Sequence, residues 1–153
     1  MAISMQFTNF SQTSFQRGYW GSNLPAVLGS LDQSPGPTLQ AESGLQSMSA
    51  GEIGSSAVTV GYSIYCTWID STTNFRFGVQ LYVPVQVIDI GTAPYWYVSY
   101  DNEGTNGGAP NWILPGDNPS IPYTWPVGTY NIAATPTADH SSLSVGIVIS
   151  PPA

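Results

Sequence analysis

Residues 56–100 carry three strand-like runs separated by short breaks, and this stretch constrains the fold more than any other part of the chain. In the first run, residues 56–68, apolar side chains at the even positions alternate with mostly small or polar ones at the odd positions. Residues 75–84 repeat that alternation, and residues 95–100 are aromatic on both faces. A period of two residues is that of a strand with one buried face. We therefore predict a meander of three antiparallel strands, with a polar hairpin turn at residues 69–74.

Shorter runs with the same period predict strands in the rest of the chain. Residues 44–54 differ, because they are small and polar with Met48 as an apolar anchor, and they lead into the meander. About ten short strands with turn residues between them are typical of a β-sandwich. We predict an all-β fold, a single-domain antiparallel β-sandwich over residues 1–153, without a helix of useful length. The additional predicted strands are residues 4–10, 15–20, 26–31, 38–42, 128–135 and 141–150.

The charge composition excludes several classes of partner. Asp, Glu, Lys and Arg together make up 7% of the 153 residues, and two basic residues, Arg17 and Arg76, stand against nine acids. Nucleic-acid binding needs clustered Lys and Arg, so we expect no nucleic acid as a partner. The formal net charge of -7 also argues against electrostatic docking on an anionic bilayer.

The single cysteine, Cys66, falls on the apolar face of a predicted strand, so we expect a small buried hydrophobe and no disulfide framework. At this chain length, folding can bury about 68–70% of the unfolded surface, so a core can form without disulfide bonds.

The N-terminal residues lack the basic and apolar regions of a signal peptide, and no apolar run reaches the roughly 18 residues of a membrane span. We therefore expect release from cytoplasmic stores, secretion by another route, or a sequence that is a mature form.

The titratable residues form no recognisable catalytic or metal-binding motif. His140, the only histidine, neighbours Asp139 and Ser141, but adjacency in a turn is not the geometry of a catalytic triad. Residues 101–107 resemble a calcium loop in outline but lack its closing glutamate, and one histidine with one cysteine gives no support to zinc. Most acids, Asp70 among them, fall in predicted turns and are expected to be solvated. We predict no catalytic residue, no enzyme activity, no metal and no cofactor.

Aromatic residues give the strongest indication of a ligand site. Residues 101–128 hold five prolines with clustered glycine and asparagine, and a loop of that length is usually functional. Amphipathic aromatics suit membrane interfaces, cage quaternary ammonium groups and stack on sugar rings. The alternative is that about half of them pack in the core and across strands. The aromatic candidates for ligand binding are Tyr82, Tyr97, Trp112, Tyr123 and Trp125.

Four segments in chain order carry a family resemblance: residues 54–65, 77–84, 95–100 and 140–149. Their pattern, with a Val-Pro step at Pro84, resembles the actinoporin-like β-sandwiches, a group that includes sea-anemone actinoporins, fungal fruit-body lectins and, with a similar sandwich, aegerolysins and their insecticidal bacterial relatives. The resemblance implies that Tyr82 and Pro84 lie at a lipid-headgroup pocket walled by aromatics from residues 101–128. Three features depart from the family. Tyr82 replaces a serine, the family's Tyr-rich helix is not recognisable, and the chain starts in a strand, without the amphipathic helix that actinoporins insert.

These observations lead to three functional hypotheses. The first is a cytolysin-like toxin that binds a membrane-lipid headgroup at the membrane surface through its aromatics, together with a pore-forming protein partner. The second is a lectin-like module that binds a glycan with the same aromatics and with Asn and Asp side chains. The third is a self-assembling structural protein or homo-oligomer, because edge strands here have few charged residues to prevent pairing.

Overall fold

The computed structural model describes residues 2–23, 31–50, 62–70, 72–73, 75–83, 95–101, 110, 112, 123–127, 130–138 and 142–151. Every regular element within these ranges is a β-strand, which confirms the all-β prediction. The same ranges contain no helix with the length and apolar character needed to cross a membrane. The ten strands are β1 Ala2–Asn9, β2 Phe15–Asn23, β3 Thr38–Leu39, β4 Gly44–Ala50, β5 Tyr62–Ile69, β6 Arg76–Val83, β7 Tyr95–Asp101, β8 Tyr123–Val127, β9 Tyr130–Ala138 and β10 Ser142–Ser150.

The strands form two five-stranded sheets that pack as a sandwich. The β1 sheet has the order β4-β1-β10-β9-β8, and the β5 sheet has the order β3-β2-β5-β6-β7. Neighbouring strands are antiparallel except β1 and β10, which pair in parallel from Ala2 opposite Ser142 to Asn9 opposite Ile149. The predicted antiparallel sandwich is confirmed at every other described strand pair, and β1 with β10 is the exception. Parallel strands need a long crossover, and here the whole intervening chain provides it.

The core lies between the two sheets and is built from the alternating apolar residues of the central strands. Phe7 of β1 contacts Trp68 of β5 edge-on, with ring centroids 5.6 Å apart, and Phe15 contacts Phe77 of β6 in the same way at 5.5 Å. Edge-to-face aromatic pairs contribute about 0.5–1.5 kcal/mol beyond the burial of their area. Cys66 is fully buried, as predicted, and this burial raises the pKa of its thiol.

The predicted meander is confirmed, because β5, β6 and β7 pair in sequence as antiparallel neighbours. The hairpin between β5 and β6 is organised by Asp70, whose two carboxylate oxygens accept hydrogen bonds from the Thr72 amide and the Thr73 hydroxyl, each at 2.9 Å. Asp70 was expected to be solvated, but its exposed fraction is 1%. The reason is Tyr130 of β9, whose hydroxyl donates to the Asp70 carboxylate at 2.9 Å from the other sheet.

Three other predictions about strands need correction. Residues 44–54 were expected only to lead into the meander, but residues 44–50 form β4, which pairs with β1 along its whole length. Residues 123–127 fall in the predicted loop but form β8, although Pro126 interrupts the strand pattern. β8 is an edge strand, the position in a sheet where proline is tolerated. The strand predicted at residues 38–42 ends at Leu39. The strand predicted at 26–31 and the start of the first meander run lie mostly outside the described residues.

Candidate functional site

A groove of about 660 Å³ lies on the outer face of the β1 sheet. It crosses four neighbouring strands, β4, β1, β10 and β9, and residue 33 contributes from the segment before β3. The described residues that line it are Ser4, Met5, Gln6, Gln33, Ser47, Met48, Ser49, Thr135, Thr137, Ser144, Val145 and Gly146.

Strand alternation explains why these residues line the groove. Met5, Met48 and Val145 are buried, with exposed fractions of 1% or less, so their side chains belong to the core and their backbones form the floor. Their neighbours along each strand point to the opposite face, because successive side chains of a strand alternate. The same two-residue period that builds the core therefore places the polar residues around the groove.

The register of the strands arranges these polar residues in two rows that run across the sheet. Ser4 of β1 lies opposite Ser49 on one side and Ser144 on the other. Two residues along, Gln6 lies opposite Ser47 and Gly146. β9 extends both rows, with Thr137 opposite Ser144 and Thr135 opposite Gly146. The first row is Ser49, Ser4, Ser144 and Thr137, and the second row is Ser47, Gln6, Gly146 and Thr135.

Gln33 lies at the β4 end of the groove, where backbone hydrogen bonds fix its position. Its amide donates to the Ser49 carbonyl at 3.3 Å, and the Ser49 amide donates to the Gln33 carbonyl at 3.0 Å. The Asp32 amide also donates to the Ser49 carbonyl, at 2.9 Å. The exposed Gln33 side chain therefore stands next to the first row on a backbone that is tied to the sheet.

Gly146 leaves a gap in the second row. It is exposed, and a Cβ atom placed on it would meet no other atom within 4 Å. Gly78 of the β5 sheet is the opposite case, because a Cβ there would lie 2.6 Å from the Thr67 methyl carbon. The space above Gly146 therefore belongs to the groove and not to the packing of the protein.

The described lining of the groove carries no charged or titratable side chain. The two arginines are engaged elsewhere: Arg17 donates to the Pro35 carbonyl and lies 4.3 Å from the centre of the Trp20 ring, while Arg76 is 1% exposed. The groove thus offers neutral hydroxyl and amide groups that both donate and accept hydrogen bonds. That lining suits an uncharged ligand with many hydroxyl groups and provides no activated nucleophile or base.

The aromatic residues predicted as ligand-binding lie on both sheets. On the β5 sheet, Tyr82 is half-buried near the end of β6, and Tyr97 of β7 pairs through its backbone with Gln80. Trp112 is also half-buried, with its ring 6.4 Å from that of Tyr65. Tyr82 and Tyr97 therefore belong to one sheet, and Trp112, which lies on no strand, packs near Tyr65 of that sheet.

The remaining candidates are not on that sheet. Tyr123 lies on β8 of the β1 sheet, where it is half-buried and packs against the core. Trp125, on the same strand, pairs through its backbone with Ile132. Pro84 lies outside the described residues. Residues Tyr123 and Trp125 are thus separated in the fold from Tyr82, Tyr97 and Trp112.

Sequence reasoning missed the groove, although one signal was present. The outward positions of β1, β4, β9 and β10 around the groove carry Ser, Thr, Gln and Gly, without the Lys and Glu that usually occupy an exposed sheet face. Nothing in the linear sequence shows that these four strands are neighbours.

The comparisons with known proteins add no identification. No protein-family model matches the chain, and no curated protein is significantly similar to it. The resemblance to actinoporin-like sandwiches therefore stays a prediction. Within the part of the chain that the structure describes, no group of three His, Cys, Asp or Glu side chains is placed to hold a metal ion.

Proposed function

We propose that this protein is a lectin-like carbohydrate-binding protein and that the groove of the β1 sheet is its binding site. The observation that carries the proposal is the composition of the groove, whose described lining combines hydroxyl and amide side chains with no charge. Sugar hydroxyls donate and accept hydrogen bonds, as serine, threonine and glutamine side chains do. The lining side chains stand on paired strands, so little ordering is needed when a ligand binds.

The groove supports moderate affinity. A neutral hydrogen bond contributes about 0.5–1.5 kcal/mol net, and association itself is costly. A ligand that engages several of these side chains is therefore expected to bind with a dissociation constant between about 1 µM and 1 mM. These constants correspond to a favourable binding free energy of about 8 to 4 kcal/mol.

The proposal can be tested on an array of neutral and acidic glycans with the whole chain. We expect binding to uncharged glycans, and weaker or no binding to sialylated, sulfated or uronate-containing ones, because the described lining has no cation to receive them. Gly146→Trp should remove binding, since the indole enters a space that no other atom occupies within 4 Å of the added Cβ. Asn131→Trp is the matched control, because Asn131 is exposed on the same face and lies outside the groove.

Two outcomes would contradict the proposal. The first is an array on which no uncharged glycan binds. The second is equal glycan binding by Gly146→Trp and the wild-type chain, because a site in the groove cannot accommodate both an indole and the ligand.

A specific observation favours lipid-headgroup binding at a membrane surface as a second candidate function. Phe10 and Leu45 are the large apolar side chains that stand out as exposed among the described residues, at 53% each. Both lie at one end of the β1 sheet: Leu45 is opposite Thr8, and the Phe10 amide donates to the Ile149 carbonyl. Apolar side chains next to a neutral polar groove fit an uncharged glycolipid headgroup, with a pore-forming partner protein acting afterwards.

Vesicle flotation separates this second function from binding of free glycans. The vesicles would contain phosphatidylcholine with or without an uncharged glycolipid. Membrane binding predicts that Phe10→Ser and Leu45→Ser each lose flotation but keep glycan binding on the array. If both variants float like the wild-type chain, the apolar pair has no role at the bilayer and the second function is contradicted.

A further inference from the structure

The direction of the groove on the sheet determines which kind of carbohydrate it can hold. Its floor consists of residues that lie opposite one another on adjacent strands, with Met5 opposite both Met48 and Val145. The two rows of polar residues flank this line on either side. The long axis of the groove therefore runs across the strands, between two hydrogen-bonding walls.

The length of the groove exceeds a single sugar. Four strands contribute to it, and three strand spacings of 4.7–4.9 Å give a length of about 14 Å. Its volume of about 660 Å³ is well above that of one sugar ring and falls within the roughly 300–1,000 Å³ of pockets for larger ligands. Polar side chains occur at both ends, Ser49 on β4 and Thr137 on β9.

The described strands flank the groove differently at its β9 end. Pairing between β8 and β9 ends at Tyr123 opposite Ala134, so among the described strands none flanks Thr135 and Thr137 on their outer side. The two walls therefore have no described strand closing them at that end.

We infer that the groove holds a run of several sugars of a linear, uncharged polysaccharide, laid across the strands of the β1 sheet. This inference rests on the proposed function and specifies its ligand. The polysaccharide makes hydrogen bonds with both walls, and the lack of a cation in the described lining disfavours uronates and sulfated chains. The gap at Gly146 gives the ring beside it more room than its neighbours have.

Isothermal titration calorimetry with oligosaccharides of increasing length tests the inference. The probes are uncharged series from one to six sugars, derived from cellulose, laminarin, mannan and chitin. For at least one series, we expect the affinity to rise by tenfold or more from the single sugar to the longest member.

Two variants at opposite ends of the groove sharpen the test. Ser49→Ala and Thr137→Val each remove one hydroxyl and should weaken binding of the longest oligosaccharide by about 2- to 10-fold, as expected for one neutral hydrogen bond. If the site held only one sugar, at most one of these two variants would weaken binding. Thr8→Val is the control, because Thr8 lies on β1 beyond the described lining of the groove and its loss should leave binding unchanged.

The outcomes distinguish this inference from the proposed function. If a single sugar binds as tightly as the longest chain, or if only one end variant has an effect, the inference is overturned while carbohydrate binding stands. If uncharged glycans bind on the array but no member of the four linear series binds, the ligand is branched or terminal and the inference is again overturned. If no glycan binds on the array, both the proposed function and this inference are contradicted.

Discussion

The two outer faces of the sandwich are built by the same alternation, yet they differ in burial. On the β5 sheet, the outward residues Thr67 and Arg76 are 0% and 1% exposed, and Trp112 packs near Tyr65 over this face. On the β1 sheet, Gln6, Thr135 and Thr137 are exposed and a groove lies among them. The comparison shows that polar residues at outward strand positions can be buried by neighbouring side chains on one sheet and exposed around a groove on the other.

The largest effect on the free energy of unfolding is expected on the outer face of the β5 sheet, when a methyl group is added to Gly78. Its Cβ would lie 2.6 Å from the Thr67 methyl carbon and 3.1 Å from the Cys66 carbonyl oxygen, so neighbours must move. Overpacking of this kind costs about 1–3 kcal/mol, and we expect Gly78→Ala to lower the free energy of unfolding by about 3 kcal/mol. Urea denaturation measures this loss of stability. Unchanged stability would mean that the outer face of the β5 sheet is open, like the groove.

The hydrogen bond between Tyr130 and Asp70, which links the two sheets, should give the next largest effect on the free energy of unfolding. The Tyr130 hydroxyl donates to the buried Asp70 carboxylate and lies 2.8 Å from the Thr13 hydroxyl. Hydrogen bonds to charged groups contribute about 1.5–3 kcal/mol, so Tyr130→Phe should lower the free energy of unfolding by about 2 kcal/mol and leave glycan binding intact. The control is Tyr82→Phe, at a half-buried tyrosine of the other sheet. If the two variants are equally stable, the link does not hold the sheets together.

The same carboxylate predicts a pH dependence. Burial alone would raise the pKa of Asp70, but hydrogen bonds from Thr72, Thr73 and Tyr130 outweigh it and hold the pKa below its usual value. A lowered folded-state pKa stabilises the protein above the unfolded value of about 3.9, and this contribution is lost as the pH falls through the folded pKa. We expect thermal unfolding between pH 6 and 2 to show a decline that Asp70→Asn flattens. An equally steep decline in the variant would assign the effect to other acids.

The smallest effect should come from Gly146→Ala, the matched partner of Gly78→Ala. A Cβ at this position meets no atom within 4 Å, and glycine within a strand is less stable than alanine by about 0.5–1 kcal/mol. We therefore expect a gain of about that size in the free energy of unfolding, measured by urea denaturation. A loss of stability would show that the space above Gly146 is needed by the fold itself.

The parts of the fold that follow from local pattern could be predicted from the sequence. β5, β6, β9 and β10 carry strong alternation, so their existence and the β5–β7 meander were evident. β4 was missed because serine and glycine dilute its pattern, and β8 because Pro126 is compatible only with an edge position that the sequence does not reveal. The parallel pairing of β1 with β10 joins the two ends of the chain, which no local signal indicates.

The site was harder to predict than the fold, since it depends on register. Aromatic residues drew attention to Trp112 and Tyr123, but Trp112 packs near Tyr65 of the β5 sheet, whereas Tyr123 lies on β8 of the β1 sheet and packs against the core. The groove instead combines serine, threonine and glutamine from four strands whose neighbours are distant in sequence. Each residue is unremarkable alone, and only the pairing of Ser4 with both Ser49 and Ser144 makes a continuous wall.

The central proposal is that the groove on the outer face of the β1 sheet binds the ligand. An NMR titration of the labelled protein with the uncharged oligosaccharide series tests it most directly, because each amide reports its own surroundings. The account predicts that shift changes concentrate at Ser4, Gln6 and Ser144, with little change at Tyr82 and Trp112. Changes that concentrate at Tyr82 and Trp112 instead, with those three groove amides unmoved, would place the site on the β5 sheet and contradict the account.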